Sequence, residues 1–392
     1  MNTLIAIIGL GVLCLLFEIL NLRKAIVPVT IIGLLAVLGL TASEFNSTES
    51  YHNNMIVVSK FSTAFSSLFI VLTIFLVGLG HNFYENHQNK ISDYIAIKVF
   101  LLAGAVAMVS FGNLAMFFLG IEVLSISLYI LAASDRLNLK SNEAGMKYFL
   151  MGSFASGIIL FGICLIYGAM GSFDVTEISE LSQSAELPVW FPIGIALLTI
   201  GMFFKIAAVP FHFWAPDVYE GSPALTTALM STLAKVVAMA TLYKLLSVMN
   251  ADISEAYKIV VVIISMASMT VGNIMALRQT NVKRMLAFST IAHTGYLLLG
   301  LYAMNFGQDS SQSLVLYLFF YALSNLGAFA VISLFEEKNQ KDLHIEQMAG
   351  LGMKHPILGS FLTIFLLSMA GIPLTSGFIG KYGLFSSAIN AG

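Results

Sequence analysis

Long apolar runs are the feature that most constrains how this chain can fold. Twelve runs of roughly 17 to 25 predominantly apolar residues occur along its 392 residues, and helices of that length cross about 30 Å of hydrocarbon. Only 10% of the residues are charged, whereas an ordinary soluble domain has about 25%. The sequence therefore predicts an all-α polytopic membrane protein with about twelve transmembrane helices and no sizeable aqueous domain.

Charge and cysteine content argue against several classes of function. The formal net charge of -2 leaves no basic surplus for binding nucleic acid. The two cysteines, Cys14 and Cys164, lie inside apolar runs without C-x-x-C spacing, so the sequence predicts no metal site and no iron–sulfur cluster. It also contains no Walker A, G-x-G-x-x-G or H-E-x-x-H motif, so nucleotide-driven and metal-hydrolase chemistry have no support.

The distribution of lysine and arginine between alternate loops predicts the orientation in the membrane, because cytoplasmic loops carry the excess. One set of loops contains three basic residues, Lys60, Lys244 and Lys258. The other set contains eleven and is predicted to be cytoplasmic: Arg23, Lys24, Lys90, Arg136, Lys140, Arg278, Lys283, Arg284, Lys338, Lys341 and Lys354. The N-terminus and the acidic stretch at residues 174–186 are therefore predicted to lie outside the cytoplasm.

Three charged side chains are predicted to lie near the bilayer midplane: Glu122, Lys205 and Lys235. Lys235 lies midway along the apolar run at residues 225–246, and a lysine at that depth costs roughly 2.5 to 3.5 kcal/mol. One interpretation is a buried ion pair that only fixes helix packing. The other is a proton path, because a low dielectric lowers the pKa of lysines and raises that of carboxylates until both can exchange protons near neutral pH.

Prolines interrupt two of the predicted spans. Pro210 follows Lys205 by five residues, and a proline removes one helical hydrogen bond and clashes with the preceding turn. Gly371 and Pro373, followed by Lys381, repeat this pattern in the last span. The carbonyl groups freed by such breaks must be satisfied by neighbours or water, as at the ion sites of transporters.

The two breaks also predict the domain organisation. They lie five spans apart, and because five is odd, the second copy of a five-helix unit would cross the membrane in the opposite sense. We therefore expect a three-helix segment at residues 1–90, a first five-helix repeat at 91–248 and an inverted, incomplete second repeat at 249–392.

Histidines and peripheral lysines extend the set of candidate proton groups. His212 and His293 lie within or beside helices, and each is either a proton relay or a satisfied buried histidine, since an unperturbed histidine has a pKa of about 6.5. Lys147 begins the sixth span, where its side chain could also extend to the interface. Lys98 lies four residues inside its span and is predicted to reach the interface with its long side chain.

Three motifs resemble the antiporter-like membrane subunits of respiratory complex I: FFKIAAVPFHFWAPDVYEGSP at residues 203–223, NVKRMLAFSTIAHTGYLLLG at 281–300 and GIPLTSGFIGKYGLF at 371–385. The segment DVYEGSP and the short N-terminal lead favour the subunit N branch of this family. The resemblance implies proton translocation in a bacterial inner membrane, driven by quinone reduction elsewhere in an NADH-quinone oxidoreductase. It also implies that NADH, flavin, iron–sulfur clusters and quinone belong to partner subunits and that this chain holds no cofactor or metal.

The resemblance further implies a proton relay of five charged residues, on helices five, six, seven, eight and twelve: Glu122, Lys147, Lys205, Lys235 and Lys381. His212 and His293 occupy the positions of the family's motif histidines. The family usually has fourteen helices, ten of them in an inverted five-plus-five core, whereas this sequence predicts twelve. We therefore expect the polypeptide to continue beyond Gly392.

Two other functions are compatible with the same sequence. A subunit of a multi-subunit cation/proton antiporter would share the core motifs, and the identity of its copurifying partners would distinguish it. A structural membrane scaffold would use the buried charges as packing devices, so neutral replacement would leave proton pumping intact.

Overall fold

A computed structural model describes residues 1–80, 90–184, 187–249, 255–303, 308–339 and 343–390. Within these ranges, ten helices are long and apolar enough to cross a membrane. Two shorter apolar helices, Trp190–Lys205 and Pro356–Ala370, lie in the two spans that the sequence predicts to be broken. The predicted polytopic all-α architecture is confirmed. Lys341 and Glu186, which entered the orientation argument, lie outside the described residues.

The chain divides into two compact units, of which the first contains residues 1–131, 152–202 and 240–251. Its helices are α1 (Asn2–Ile19), α2 (Arg23–Ser43), α3 (Lys60–Gly78), α4 (Ile91–Ser110), α5 (Leu114–Ala132), most of α6 (Leu139–Met170), α7 (Val175–Ser184) and most of α8 (Trp190–Lys205). An antiparallel hairpin of β1 (Glu49–Tyr51) and β2 (Ile56–Val58) lies between α2 and α3. The hairpin is a feature that the apolar pattern does not predict.

The backbones of helices α4 and α5 approach each other closely. A Cβ on Gly104 would lie 2.8 Å from the Leu124 nitrogen, and one on Gly120 would lie 2.9 Å from the Met108 nitrogen. Only glycine allows two helices to approach so closely. Glu122 lies in α5 between two residues of this crossing, Gly120 and Leu124, so the crossing fixes the position of the helix that carries the glutamate.

Two lysines of this unit differ from their predicted placement. Lys98 is only 3% exposed because α1 and α3 pack against α4, so the prediction that its side chain reaches the interface is wrong. Lys244 is a helical residue whose Nζ donates hydrogen bonds to the carbonyls of Val109 (2.9 Å) and Phe111 (2.6 Å). It therefore caps the C-terminal end of α4 and does not belong to a loop. Without Lys244, the loops predicted to lie outside the cytoplasm contain even fewer basic residues, so the predicted orientation is the same.

The second unit contains residues 132–151, 203–239 and 252–392. Its helices are α9 (Trp214–Gly221), α10 (Ala224–Leu229), the beginning of α11 (Lys235–Met249), α12 (Glu255–Ala276), α13 (Val282–Ala303), α14 (Gln308–Asn339), α15 (Leu351–Lys354), α16 (Pro356–Ala370) and α17 (Ser376–Asn390). A π-helical turn (Met230–Ala234) joins α10 to α11, and a 3₁₀ turn (Ile345–Met348) precedes α15. Helix α13 packs against α9, α12, α14 and α17, and so forms the centre of this unit.

Candidate functional site

The first helix break lies where the sequence predicts it. Helix α8 ends at Lys205, and α9 begins at Trp214. Between them Ala207 adopts a left-handed conformation with φ of 55°, and the peptide bond before Pro210 is cis. Lys205 is therefore the last helical residue before an irregular segment of the backbone.

Side chains from neighbouring helices satisfy the backbone groups that this break exposes. The hydroxyl of Thr294 on α13 donates a hydrogen bond to the Ile206 carbonyl across 2.8 Å. The backbone N–H of Val209 donates to the hydroxyl of Ser268 on α12 across 2.9 Å. This agrees with the rule that irregular backbone at membrane depth persists only where the protein supplies partners.

The second break separates α16 from α17. Helix α16 ends at Ala370, and α17 begins at Ser376. Gly371 lies between them with φ of 82°, in the left-handed region that glycine adopts without steric cost. Pro373, with no N–H to donate, follows in the same turn.

Lys381 folds back from α17 onto the end of α16. Its Nζ donates hydrogen bonds to the carbonyls of Met369 (2.7 Å) and Ala370 (3.1 Å). The same ammonium lies 4.6 Å from the centroid of the Tyr296 ring on α13. The lysine therefore caps the carbonyls freed by the second break and faces the central helix of the unit.

Lys235 lies deep inside the second unit. The residue is only 3% exposed. Its Nζ donates hydrogen bonds to the Thr290 carbonyl (2.6 Å) and the Thr294 hydroxyl (2.8 Å). Because the Thr294 hydroxyl also contacts the Ile206 carbonyl, a short polar chain connects Lys235 to the backbone beside Lys205.

The helix that carries Lys235 is not continuous, although residues 225–246 read as one apolar run. The π-helical turn Met230–Ala234 immediately precedes the lysine. The Tyr321 hydroxyl donates to the Ser231 carbonyl across 2.9 Å, which satisfies a carbonyl in the widened turn. Such π-helical turns occur often at functional sites.

Glu122 presents a buried carboxylate oxygen from α5. Among the residues that the structure describes, no group donates a hydrogen bond to its Oε1 atom. Buried polar atoms are nearly always satisfied, so this oxygen is available to accept a hydrogen bond from water. Its coupling to Lys205 or Lys235 stays a prediction.

Lys147 lies in a cluster of charges about two turns inside α6, which begins at Leu139 and not next to Lys147 as the sequence predicts. Its Nζ pairs with Asp217 Oδ2 and with Glu143 Oε1, each at 2.7 Å. The other Asp217 oxygen accepts a hydrogen bond from Arg284 across 2.6 Å. The structure thus gives Lys147 two carboxylate partners at a partly exposed site, and its membership of a relay stays a prediction.

A buried ion pair that the sequence does not indicate supports the helix leading to Lys235. Lys283, 4% exposed, pairs with the Glu336 carboxylate and donates to the Ser222 carbonyl across 2.7 Å. The second Glu336 oxygen accepts the backbone N–H of Ala224, the first residue of α10, across 2.6 Å. Glu336 is therefore the N-terminal cap of that helix. The two charges are 53 residues apart, so no local pattern could have revealed the pair.

The two candidate histidines have different surroundings. His293 is 4% exposed and shares a hydrogen bond between Nδ1 and the Tyr317 hydroxyl. His212 is 8% exposed, and its Nδ1 has no hydrogen-bond partner within the described part of the chain. His293 is thus joined to a polar partner on α14, whereas one buried nitrogen of His212 has no partner among the described residues.

The side chains around α13 have the hydrogen-bonding chemistry that proton transfer uses. Within the described ranges, no three His, Cys, Asp or Glu side chains form a group that could hold a metal ion. Lysine, histidine, tyrosine and threonine side chains instead lie in succession around α13. Each can donate a hydrogen bond, and all but a charged lysine can also accept one.

Known proteins resemble the chain in sequence. The family described as NADH:quinone oxidoreductase/Mrp antiporter, TM matches residues 112–392, more than half of the chain. NADH-quinone oxidoreductase subunit N of Flavobacterium johnsoniae is 70% identical over all of this chain and 85% of its own length. The protein of the same name from Cytophaga hutchinsonii is 43% identical over all of this chain and 84% of its own length.

Solved structures resemble the chain in fold. A chain of respiratory complex I from Thermus thermophilus matches with a TM-score of 0.82 and 31% identity, over all of this chain and 83% of that one. A chain of the Mrp complex from Dietzia sp. matches with a TM-score of 0.84 and 23% identity, over 99% and 73%, which shows a common fold alone. The resemblance expected from the three motifs is confirmed, and the chain belongs to the antiporter-like membrane subunits of NADH-quinone oxidoreductase, in the subunit N branch.

Proposed function

We propose that this chain translocates protons as subunit N of an NADH-quinone oxidoreductase. The observation that carries the proposal is the setting of Lys235, which is 3% exposed and hydrogen-bonded to the neutral groups of Thr290 and Thr294. Among the described residues, no carboxylate lies within ion-pair distance of its ammonium. An uncompensated buried ammonium is costly, and a lysine that exchanges its proton avoids holding that charge permanently.

In this proposal, protons pass between charged side chains along the interior of the subunit. The relay consists of Glu122, Lys147, Lys205, Lys235 and Lys381, assisted by His212 and His293. The two broken helices support it, because Lys205 ends one helix before its break and Lys381 caps the carbonyls at the other. A lysine bound to backbone carbonyls can leave them when its charge changes, so these contacts provide a means of coupling proton movement to local backbone movement.

The energy for translocation is proposed to come from quinone reduction elsewhere in the complex. NADH, flavin, iron–sulfur clusters and quinone would then be bound by partner subunits, and this chain would hold no redox centre. Subunits of the same branch carry the name NADH-quinone oxidoreductase subunit N, which supports this assignment. Other membrane subunits are its partners.

The chain is a multi-pass bacterial membrane protein. We propose that it resides in the inner membrane with its N-terminus outside the cytoplasm, as the excess of basic residues in alternate loops favours. We also propose that residues 91–248 and 249–392 are inverted repeats preceded by a three-helix segment at 1–90. The positions of the breaks at residues 206–213 and 371–375 support the repeats.

Two lysines on one helix offer a matched test of the proposed function. Lys235→Met and Lys244→Met each remove from α11 an ammonium that is bound to a backbone carbonyl; Lys235 is buried and Lys244 is partly buried. We expect the Lys235→Met complex to assemble but to lose most of its proton translocation in reconstituted vesicles. The Lys244→Met complex should keep the normal ratio of translocated protons to reduced quinone.

The same experiment addresses the alternatives. Normal pumping by Lys235→Met, at unchanged amounts of copurifying subunits, would favour a structural scaffold. If the subunits that copurify with this chain show no NADH-dependent quinone reduction, a cation/proton antiporter would be favoured. A chain of the Mrp complex shares the fold of this chain.

A further inference from the structure

Tyr317 and His293 form a buried polar pair at the centre of the second unit. Tyr317 on α14 is 1% exposed and His293 on α13 is 4% exposed. The phenol hydroxyl and His293 Nδ1 share a hydrogen bond. A phenol can donate one proton and accept another at the same oxygen, so this pair has the chemistry of a proton-transfer step.

His293 lies near both lysines that the proposed relay must connect. Its ring is 5.7 Å from the Tyr296 ring, and the Lys381 ammonium is 4.6 Å from the same Tyr296 ring. Its neighbour along α13 is Thr294, whose hydroxyl accepts a hydrogen bond from Lys235 across 2.8 Å. The lysines themselves bind other groups: Lys235 binds α13, and Lys381 binds the end of α16. Polar groups between them are therefore needed for a proton to pass from one to the other.

Tyr317 extends this polar path toward Lys381. The residue that precedes Lys381 is Gly380, and a Cβ there would lie 2.7 Å from Tyr317 Cδ2. Helix α17 thus passes directly against the Tyr317 ring. The Lys381 ammonium lies 4.6 Å from the Tyr296 ring, and the Tyr296 ring lies 5.7 Å from that of His293.

We propose that the Tyr317 hydroxyl transfers protons between His293 and the water that serves Lys381. This inference rests on the proposed function of the subunit. The phenol oxygen accepts a proton from protonated His293 as its own O–H proton leaves for a water molecule, and that water passes a proton to neutral Lys381. One O–H bond forms as another breaks, so the phenol ends neutral and a single positive charge has moved from the histidine to the lysine.

A purely structural role makes a different prediction. Buried tyrosines often donate a hydrogen bond only to satisfy the hydroxyl group. In that case the ring would stabilise packing against Gly380, and the loss of the oxygen would leave proton movement unchanged.

The substitution Tyr317→Phe in the whole complex separates these roles, because it keeps the ring and removes only the hydroxyl. We expect proton translocation in vesicles to fall about 10-fold to 100-fold, since a positioned proton-transfer group typically contributes that much or more. The matched control is Tyr148→Phe, in which a buried ring, 5% exposed, stays stacked on Trp214 at 4.6 Å. It should translocate protons at the wild-type rate.

A double substitution tests whether the hydroxyl acts through the histidine. If Tyr317 and His293 are consecutive groups on one path, His293→Asn combined with Tyr317→Phe should be no slower than His293→Asn alone. Full multiplication of the two losses would contradict the proposal, as would wild-type translocation by Tyr317→Phe.

A second variant keeps the proposal testable if the Tyr317→Phe complex does not accumulate. Replacing Tyr317 by 3,5-difluorotyrosine retains the shape and the hydroxyl but makes the phenol more acidic. We expect a rate of proton translocation that differs from wild type at equal complex levels, and an identical rate would overturn the proposal. If the proposed function itself is wrong, the Lys235→Met complex will also pump protons normally. If only the role of Tyr317 is wrong, the Lys235→Met complex will lose pumping and the Tyr317 variants will not.

Discussion

Lys235 donates a hydrogen bond to Thr294 across 2.8 Å and so joins α11 to α13. Thr294 in turn donates to the Ile206 carbonyl across 2.8 Å. One hydroxyl therefore contacts both the central lysine and the backbone of the first helix break. A change of charge on Lys235 alters the group that holds this break in place, which gives the relay a physical link to the broken helix.

The first prediction concerns this shared hydroxyl. Thr294→Val keeps the shape of the side chain but leaves the Ile206 carbonyl without the Thr294 hydroxyl and leaves the Lys235 ammonium bound to the Thr290 carbonyl alone. An unsatisfied buried group costs about 1 to 3 kcal/mol. We expect lower thermal stability of the purified complex and slower proton translocation in vesicles.

A threonine in the first unit provides the control for that substitution. Thr73 is 2% exposed, and its hydroxyl donates to the Phe69 carbonyl of its own helix across 2.8 Å. Thr73→Val should leave translocation unchanged. Equal effects of the two substitutions would show that the Thr294 hydroxyl has no special role.

The sequence was sufficient to locate both helix breaks, but not the geometry around the lysines. Pro210 and the Gly371–Pro373 turn are local signals, because proline and glycine act on the backbone of their own residues. The π-helical turn before Lys235 has no such signal. It depends on tertiary contacts such as the Tyr321 hydroxyl that binds the Ser231 carbonyl from 90 residues away.

The pairing of charges was predictable only where it is local. Glu143 lies four residues before Lys147, a spacing at which helical side chains meet. Asp217 is 70 residues from Lys147, and the buried Lys283–Glu336 pair joins two helices, so both required the folded structure. Lys244 was predicted in a loop because the apolar run ends near it, whereas α11 continues to Met249.

The second prediction uses two glycines with the same backbone conformation. Gly371 and Gly350 have φ of 82° and 77°, so alanine at either position is strained by about 1 to 2 kcal/mol. A Cβ at Gly371 would also lie 2.9 Å from Lys381 Cδ, whereas nothing lies within 4 Å of a Cβ at Gly350. We expect Gly371→Ala to slow proton translocation and Gly350→Ala to affect stability alone. Similar translocation by the two variants would argue against a role for the position of Lys381.

The third prediction concerns the buried pair that caps α10. Glu336→Leu leaves the Lys283 ammonium, 5% exposed, without its carboxylate, and breaking a buried pair costs about 3 to 5 kcal/mol. We expect a clear fall in the thermal stability and abundance of the complex. The double variant Lys283→Met with Glu336→Leu removes both charges and should recover much of the loss. A double variant as unstable as Glu336→Leu would show that the cap on the Ala224 N–H, and not the charge pair, dominates.

The last prediction is the pH dependence of a junction outside the membrane spans. Asp174 precedes α7, where its Oδ1 accepts the Thr176 N–H across 2.8 Å and its Oδ2 accepts an Asn54 N–H across 2.9 Å. Burial acts to raise the pKa of Asp174, but hydrogen bonds from Thr176, Asn54 and the backbone prevail and hold it below its usual value. A carboxyl group whose pKa is lower in the folded state stabilises the fold above its unfolded pKa of about 3.9, and this stabilisation is lost as the pH falls through the folded value.

Amide hydrogen exchange in α7 measures this contribution. At pH 7, Asp174→Asn should speed exchange at residues 175–180 by about fivefold. Asparagine can still cap the helix, but it loses the negative charge and the second oxygen that accepts the Asn54 N–H, and a lost hydrogen bond costs about 1 kcal/mol. The difference between Asp174→Asn and wild type should shrink as the pH falls below about 3.9, since the wild-type carboxyl group is then increasingly protonated. Glu177→Gln serves as the control, since that carboxylate contacts only the nearby Ser172 hydroxyl among the described side chains and should give no comparable change. A difference between Asp174→Asn and wild type that persists undiminished at pH 2 would mean that the side-chain shape, and not the charge, holds the junction.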